Sequence, residues 1–427
     1  MMAPVTSRRT FLFAPESAYG PTNNCIGIGR RLLERGHRVV FAAEASWAGR
    51  LASYGFEEEL IELSAPVPGD AQDPGQFWKD YVAGIAPEFA TATDEQLQSV
   101  IRPIWEELIA GARYAEDQLR EALARTRPDV IVEDNVVGFP ALVTADAPFV
   151  RIVSCNPLEV PGESVAPAFS GLAEGDVEGF ARFRRAYRAT HLDLWREFNE
   201  FYVAHGAPAL PELEFIGAGD LNLYVYPAEL DYPRAMGPTW HRVESSVRET
   251  EGDVELPKGF ADGRRPILYF SLGSLGSADV ALMRRVIDAL AGEPYDVIVS
   301  KGPRASEIEL ADNMWGAEFV PQTRLLPLAD VVITHGGNNT VTESMHFGKP
   351  MLVMPLFWDQ YDNAQRVHER GYGTRVASYE VTADDLKREV VRLLGDDALR
   401  ARCVVASARI RAADGLGRAA DLLESAH

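Results

Sequence analysis

At 427 residues, 46% hydrophobic and 25% charged, the chain has an ordinary globular composition and is too long for one ordinary domain. Its formal net charge of -21 argues against a nucleic-acid partner, whose phosphates demand a basic face, and against anionic membrane surfaces. No apolar run approaches bilayer length and residues 1–10 lack the apolar core of a signal peptide, so a cytoplasmic protein without a stable membrane anchor is expected. Cys25, Cys155 and Cys403 are scattered and odd in number, and read as buried thiols.

In chain order, Thr10 to Ala14 predicts a first strand, Pro15 to Asn24 a loop, and about Cys25 to Arg35 a helix stopped by Gly36. His37 to Ala42 is the next strand, which completes a βαβ unit and opens a doubly wound domain. Strands at Pro128 to Asp134 and Phe149 to Val153 follow, and Leu221 to Tyr226 reads as the last strand of this domain. Helical, aromatic segments lie between them; one carries Phe77, Trp78, Tyr81, Phe89, Trp105 and Tyr114, another Phe183, Tyr187, Trp195, Phe198, Phe201 and Tyr202. Packing between helices accounts for most of these rings.

Residues 242–264 are polar, charged and glycine-bearing, as an interdomain linker should be. A second domain opens with the strand Pro266 to Ser271 and the turn Leu272-Gly273-Ser274, before a helix at 279–291. A phosphate cradle and an ordinary strand-to-helix loop both fit that turn. Tyr295 to Ser300 is the next strand, and Glu318-Phe319-Val320-Pro321-Gln322 follows. Val331 to Thr334 is a buried parallel strand, the turn His335 to Thr340 leads into a helix from Thr340 to Phe347, and Gly348-Lys349-Pro350 ends it. Met351 to Pro355 is another buried strand, with Phe357-Trp358-Asp359-Gln360 as the loop behind it. Gly371 to Val376 predicts a short strand, 382–395 and 396–412 two helices, and 416–427 a last amphipathic piece.

The stretch from Asp330 to Val367 reads as an anion site. A helix start offers unpaired N–H groups and partial positive charge, and Gly336 and Gly337 allow a phosphate to approach the backbone. His335 can donate to the same phosphate, and Glu343 can accept from sugar hydroxyls. Asp359 and Gln360 fall at the carboxyl-end crevice where open α/β sheets bind ligands. No Asp-x-Asp pair occurs, so a metal-clamped diphosphate has no obvious ligand set and no metal or cofactor is expected.

The composite pattern Pro321-Gln322, His335, Gly337, Asn339, Glu343, Gly348, Pro350, Pro355, Asp359, Gln360 and Asn363 resembles the donor-site signature of inverting nucleotide-sugar glycosyltransferases of the macrolide and UDP-glucosyltransferase group. The resemblance implies the α/β GT-B fold, two facing Rossmann-like doubly wound domains with a cleft between them. It implies an acceptor domain at 1–241, the linker at 242–264, a donor domain at 265–405, and a terminal helix, 406–427, crossing back to the first domain. Gly273 and Ser274 match the family's Ser-Leu-Gly-Ser motif facing the diphosphate. Phe319, beside Val320, takes the position of a tryptophan that stacks on the base, with Gln322 at the base edge. Asn338, Asn339 and Thr340 complete the implied donor set. The acceptor half implies Tyr19, Pro21, Trp78, Asn135 and Phe357 as contacts for an apolar acceptor.

The family's usual base is a histidine within Gly-His-x-Asn-Pro, which aligns with Gly20-Pro21-Thr22-Asn23-Asn24, so proline stands at the histidine position. Asp134 matches the aspartate that orients that histidine. Three explanations follow: Asp134 itself accepts the proton, Glu16 takes the role, or the protein binds nucleotide sugar without transferring it. Glu133 is a further carboxylate nearby, more readily read as structural. The expected reaction is metal-independent transfer of a hexosyl group, glucose from UDP-glucose rather than a dTDP-deoxysugar, to an apolar phenolic or macrolide acceptor by a monomer or homodimer. His37, on the family's Arg-Gly-His turn, reads as structural.

Overall fold

The computed structural model describes residues 7–65, 84–260 and 262–427. Phe77, Trp78 and Tyr81 lie outside the described residues. Among the described residues, thirteen strands form two sheets in which every pairing is parallel. The first holds β1 (Thr10–Pro15), β2 (Arg38–Glu44), β3 (Glu57–Ile61), β4 (Val130–Asp134), β5 (Phe149–Val153), β6 (Leu221–Val225) and β7 (Trp240–Val243), in the order 3-2-1-4-5-6-7. The second holds β8 (Ile267–Ser271), β9 (Asp296–Ser300), β10 (Met314–Ala317), β11 (Val331–Thr334), β12 (Met351–Val353) and β13 (Gly373–Arg375), in the order 10-9-8-11-12-13. Helices cover both faces, which is why the central strands β4, β5, β8 and β11 are buried along their whole length; β8 and β11 read as near-continuous apolar runs, while β4 and β5 bury Glu133, Asp134 and Arg151 among their apolar residues.

In each sheet the strand order reverses once, between β1 and β4 in the first and between β8 and β11 in the second. Loops leaving those strands diverge to opposite faces and open a crevice at the carboxyl ends. The protein therefore has two such crevices, one per sheet, and the contacts between the halves set them against each other.

Four elements differ from the sequence expectation, among them the strands β3 and β10, where no strand was expected. Residues 19–24 are not loop: the helix runs Tyr19–Glu34, with Pro21 in its first turn, where the missing N–H has no intrahelical partner to lose. Leu221–Val225 is not the last strand of the first sheet, because Trp240–Val243 pairs with it in parallel register. As an edge strand, three of its four residues half-buried, it lacks the apolar run that betrays a central strand.

The helix Gly415–Glu424 packs against Tyr19–Glu34 and buries Ala419, Ala420 and Leu423 with the core of the first sheet. His37 is structural, as expected: its Nε2 lies 2.7 Å from the Glu424 carboxylate on that helix and its Nδ1 accepts from the Arg9 N–H. The helix Gln360–Glu369 joins the halves. Asp362 accepts from the backbone N–H groups of Phe169 (2.6 Å) and Gly171 (2.8 Å), and Asn363 bridges to Asn156 and Tyr226.

Candidate active site

The loops after β8, β11 and β12 meet the start of the helix Tyr19–Glu34 and the loop after β5 around a cleft of about 450 Å³. All the expected donor residues line it except Gln360: Gly273, Ser274, Phe319, Val320, Gln322, His335, Gly337, Asn338, Asn339, Thr340, Glu343 and Asp359. Gln360 is buried below, its Oε1 accepting from the N–H groups of Leu356 (3.0 Å) and Phe357 (3.3 Å), so its side chain braces the loop.

His335 sits in a slot between two glycines. A Cβ on Gly273 would lie 2.6 Å from the His335 ring and one on Gly337 2.5 Å from it. Gly273 has φ +74° and Gly336 φ +93°, conformations that L side chains rarely adopt. Burial holds the imidazole neutral, its pKa lowered to about 4 against the opposing effect of a hydrogen bond to the Ser271 carbonyl. A neutral ring whose single N–H goes to the Ser271 carbonyl keeps an acceptor as its other nitrogen, so His335 does not donate to a phosphate in this arrangement, contrary to the sequence expectation, and shapes the slot instead.

Behind it, the helix Asn338–Phe347 begins at Gly337, whose position carries no side-chain cap. Its first N–H groups are the orphan donors of any helix start and carry the positive end of the helix dipole. Its first two side chains fix it to the other half: Asn338 Nδ2 donates to the carbonyls of Ser154 (2.7 Å) and Val225 (3.0 Å), and Asn339 Nδ2 donates to that of Gly20 (3.0 Å). The cleft thus offers amides for an anion on one wall and, on the facing wall, Tyr19, Pro21, Trp47, Arg50 and Tyr54. Tyr19 stacks obliquely on Phe319, ring centroids 5.6 Å apart.

Glu343 and Gln322 are already engaged. Glu343 Oε1 accepts from Arg248 (2.8 Å) and Oε2 from Gln322 Nε2 (2.5 Å), while Gln322 Oε1 accepts from the Tyr269 hydroxyl (2.9 Å). Arg248 also pairs with Glu251, whose Oε2 accepts from the N–H and hydroxyl of Thr323. Arg248 is one of four cations in the 242–264 linker, and nothing local singles it out.

The carboxylates expected to act as base do not reach the cleft. Asp134 is buried at the end of β4, its Oδ1 accepting from the Ser154 hydroxyl (2.7 Å) and its Oδ2 3.8 Å from the Cys25 sulfur, so Ser154 stands on the cleft in its place. Burial raises its pKa well above the usual carboxylate range. Glu16 lies below the helix start and is pushed up to about 7, chiefly by burial. Glu133 is wholly buried with neither oxygen hydrogen-bonded, and burial raises its pKa well above the usual carboxylate range against the pull of Arg151. Among the expected acceptor contacts, Tyr19 and Pro21 line the cleft, and Trp78 is outside the described residues. Asn135 turns back on its own chain to accept from the N–H groups of Val136 and Val137, and Phe357 is buried in a stack on Phe89, centroids 4.6 Å apart. Cys155 is also corrected: it is half-buried and faces the cleft, whereas Cys25 and Cys403 are buried.

A second cavity, about 340 Å³, lies in the first half between the long helices Arg102–Thr126 and Val177–Ala204 and the loops after β5. Trp105, Leu158, Phe169, Tyr187, Phe215 and Ile216 give it apolar walls, and Arg188 paired with Glu212 stands at its edge. A constriction of only about 10 Å³ shares Trp105, Glu159 and Phe169 with this cavity and Cys155 and Asp359 with the cleft. No helix among the described residues is long and apolar enough to cross a membrane.

The profile of the family described as "UDP-glucoronosyl and UDP-glucosyl transferase" matches residues 189–410. The chain belongs to this family. It is a glycosyltransferase of the GT-B fold, similar to macrolide glycosyltransferases. It is 26% identical to the oleandomycin glycosyltransferase of Streptomyces antibioticus, over 96% of this chain and 89% of that one. It is also 26% identical to the NDP-glycosyltransferase YjiC of Bacillus subtilis (strain 168), over 96% and 95%. The solved glycotransferase of kitacinnamycin shares the fold, with a TM-score of 0.73 at 24% identity over 98% of both chains.

In this glycosyltransferase the Arg248–Glu343 pair is almost wholly shielded from water, with side-chain exposures of 12% and 5%. Removing one partner strands the other, so Arg248→Met is expected to lower unfolding free energy by about 3 kcal/mol. Burial raises the Glu343 pKa; with its cation gone the carboxyl takes up a proton more readily, and the penalty shrinks as pH falls. Urea unfolding at two pH values reads both effects.

Proposed function

We propose that the protein transfers a hexosyl group from a nucleotide diphosphate sugar to a hydroxyl of an apolar small molecule, with inversion at the anomeric carbon and without a metal. The observation that carries this reading is the convergence of the Gly273–Ser274 turn and the Gly337–Thr340 helix start on one cleft whose other wall comes from the opposite sheet. Fixed dipoles there are placed to stabilise a departing diphosphate, the work a metal does elsewhere. The nucleotide base then lies on Phe319, and the 340 Å³ cavity receives the apolar acceptor. Relatives named for oleandomycin and zeaxanthin support an acceptor of natural-product type. The family's description, which names UDP-glucosyl transfer, favours UDP-glucose as the donor. A dTDP-sugar is the alternative, and VinC, a neighbour in fold, is described in complex with dTDP.

The test is incubation with UDP-glucose or dTDP-glucose and a panel of phenols and macrolactones, following glycoside and free nucleotide together. The expected product is a glycoside of configuration opposite to the donor, established by its anomeric coupling. Nucleotide binding without glycoside across the panel supports the binding-only reading, which the proline at position 21 favours.

A further inference from the structure

Sugar transfer needs a group to take the acceptor's proton, and the two carboxylates expected to replace the missing histidine do not face the cleft. The cleft itself holds three carboxylates among the described residues: Glu251, Glu343 and Asp359. Arg248 ties up the first two. Glu159, at the constriction, is tied to Arg151 at 2.5 Å. Among the described residues, Asp359 and Cys155 alone line both the cleft and the constriction that leads to the apolar cavity.

We propose that Asp359, expected from sequence only to hold the donor sugar, is the general base that takes the acceptor's proton. The assignment rests on the transferase reading above. Its carboxylate is fixed at the junction by the Asn156 N–H (3.0 Å) from one half and Asn363 Nδ2 (3.2 Å) from the other, both on Oδ2, and by its own backbone N–H; among the described residues Oδ1 accepts from no other residue and is the oxygen offered to an incoming hydroxyl. Cys155 cannot compete, since burial and the surrounding carboxylates keep its thiol protonated. The titratable groups facing Asp359 are Glu159, Cys155 and Tyr226 from the first half and Asp362 on its own helix. Burial raises Asp359 to about 7, which suits a base working near neutrality. In the step, the acceptor hydroxyl gives its proton to Oδ1 as its oxygen bonds the anomeric carbon. The bond from that carbon to the diphosphate breaks, its electron pair leaving with the diphosphate. Asp359 ends as a neutral acid and returns the proton to solvent.

The experiment compares the full-length wild-type chain with Asp359→Asn and Asp134→Asn, using UDP-glucose and two acceptors: an aliphatic alcohol and a nitrophenol already ionised at the assay pH. Asp359→Asn is expected to slow transfer to the alcohol by about 10²–10⁴-fold while leaving the ionised phenol within a few-fold and UDP affinity unchanged. Equal losses on both acceptors with a raised donor KM make Asp359 a sugar ligand only and overturn the assignment; so does an acceptor-dependent loss in Asp134→Asn instead. Should the variant not fold, the wild-type pH profile decides: kcat/KM for the alcohol should rise through about pH 7 and that for the ionised phenol stay flat. A flat alcohol profile overturns the proposal. A wild-type chain that binds UDP but forms no glycoside with either acceptor overturns the transferase reading, and this assignment with it.

Discussion

Gly273→Ala is expected to cost about 2–5 kcal/mol of stability and to remove measurable UDP binding. Two effects combine at this position. At φ +74° any side chain is strained, and here the new Cβ would also sit 2.6 Å from the His335 ring. The ring has nowhere to go, because a Cβ built on Gly337, on its other face, would be 2.5 Å away. Gly36→Ala supplies the control: φ is +90° there too, but nothing lies within 4 Å. It should cost only the backbone strain, about 1–2 kcal/mol, and leave UDP affinity intact. Urea unfolding with titration calorimetry on both variants separates the strain from the slot. Equal losses in the two would mean that the packing of His335 between the glycines has no energetic weight.

The second half of the molecule was largely legible in its sequence, for a physical reason. Its central strands are buried on both faces, so Val331–Thr334 and Met351–Val353 stand out as apolar runs, and Gly348, at φ 69°, ends the helix Asn338–Phe347 as a left-handed cap. His335 and Gly337 follow such a strand directly, whereas Gly273 joined them only through the motif its turn shares with the resembling family. What the sequence hid depends on pairing at a distance. Arg248 meets Glu343 across 95 positions, and nothing local marks either as the other's partner. Asp134 had the right position in the chain, but Ser154, on the next strand's loop, comes between it and the cleft. Phe357 and Gln360 looked available because they sit in a loop, yet a ring in reach of Phe89 and an amide in reach of two backbone N–H groups both turn inward. The edge strand Trp240–Val243 was missed because its residues are mostly half-buried and carry no clean period.

The other large effect is expected at the joint between the halves. Arg366, with 2% of its side chain exposed, belongs to the helix Gln360–Glu369 of the second half but reaches across into the first. Its guanidinium donates to the carbonyls of Leu230 (2.9 Å) and Asp231 (2.6 Å), pairs with Glu174 (2.8 Å) and lies 4.5 Å from the Tyr232 ring centroid. Arginine suits the place because its planar fork serves two carbonyls and a carboxylate at once while stacking on a ring; lysine, a single point donor, does not. Arg366→Met fills much of the volume but strands those acceptors, and should cost about 3–5 kcal/mol. The consequence reaches the chemistry through geometry. The same helix begins with Gln360 directly after Asp359, and Asp359 is held against the Asn156 N–H of the first half. Loosening the rivet should therefore let the halves separate. It is expected to raise the radius of gyration in small-angle scattering and to lower kcat for sugar transfer, while UDP, whose proposed site lies mainly on second-half residues, still binds. A variant that stays as compact as the wild type with kcat unaltered would show that the remaining bridges from Asp362, Asn363 and Asn338 suffice to keep cleft and cavity aligned.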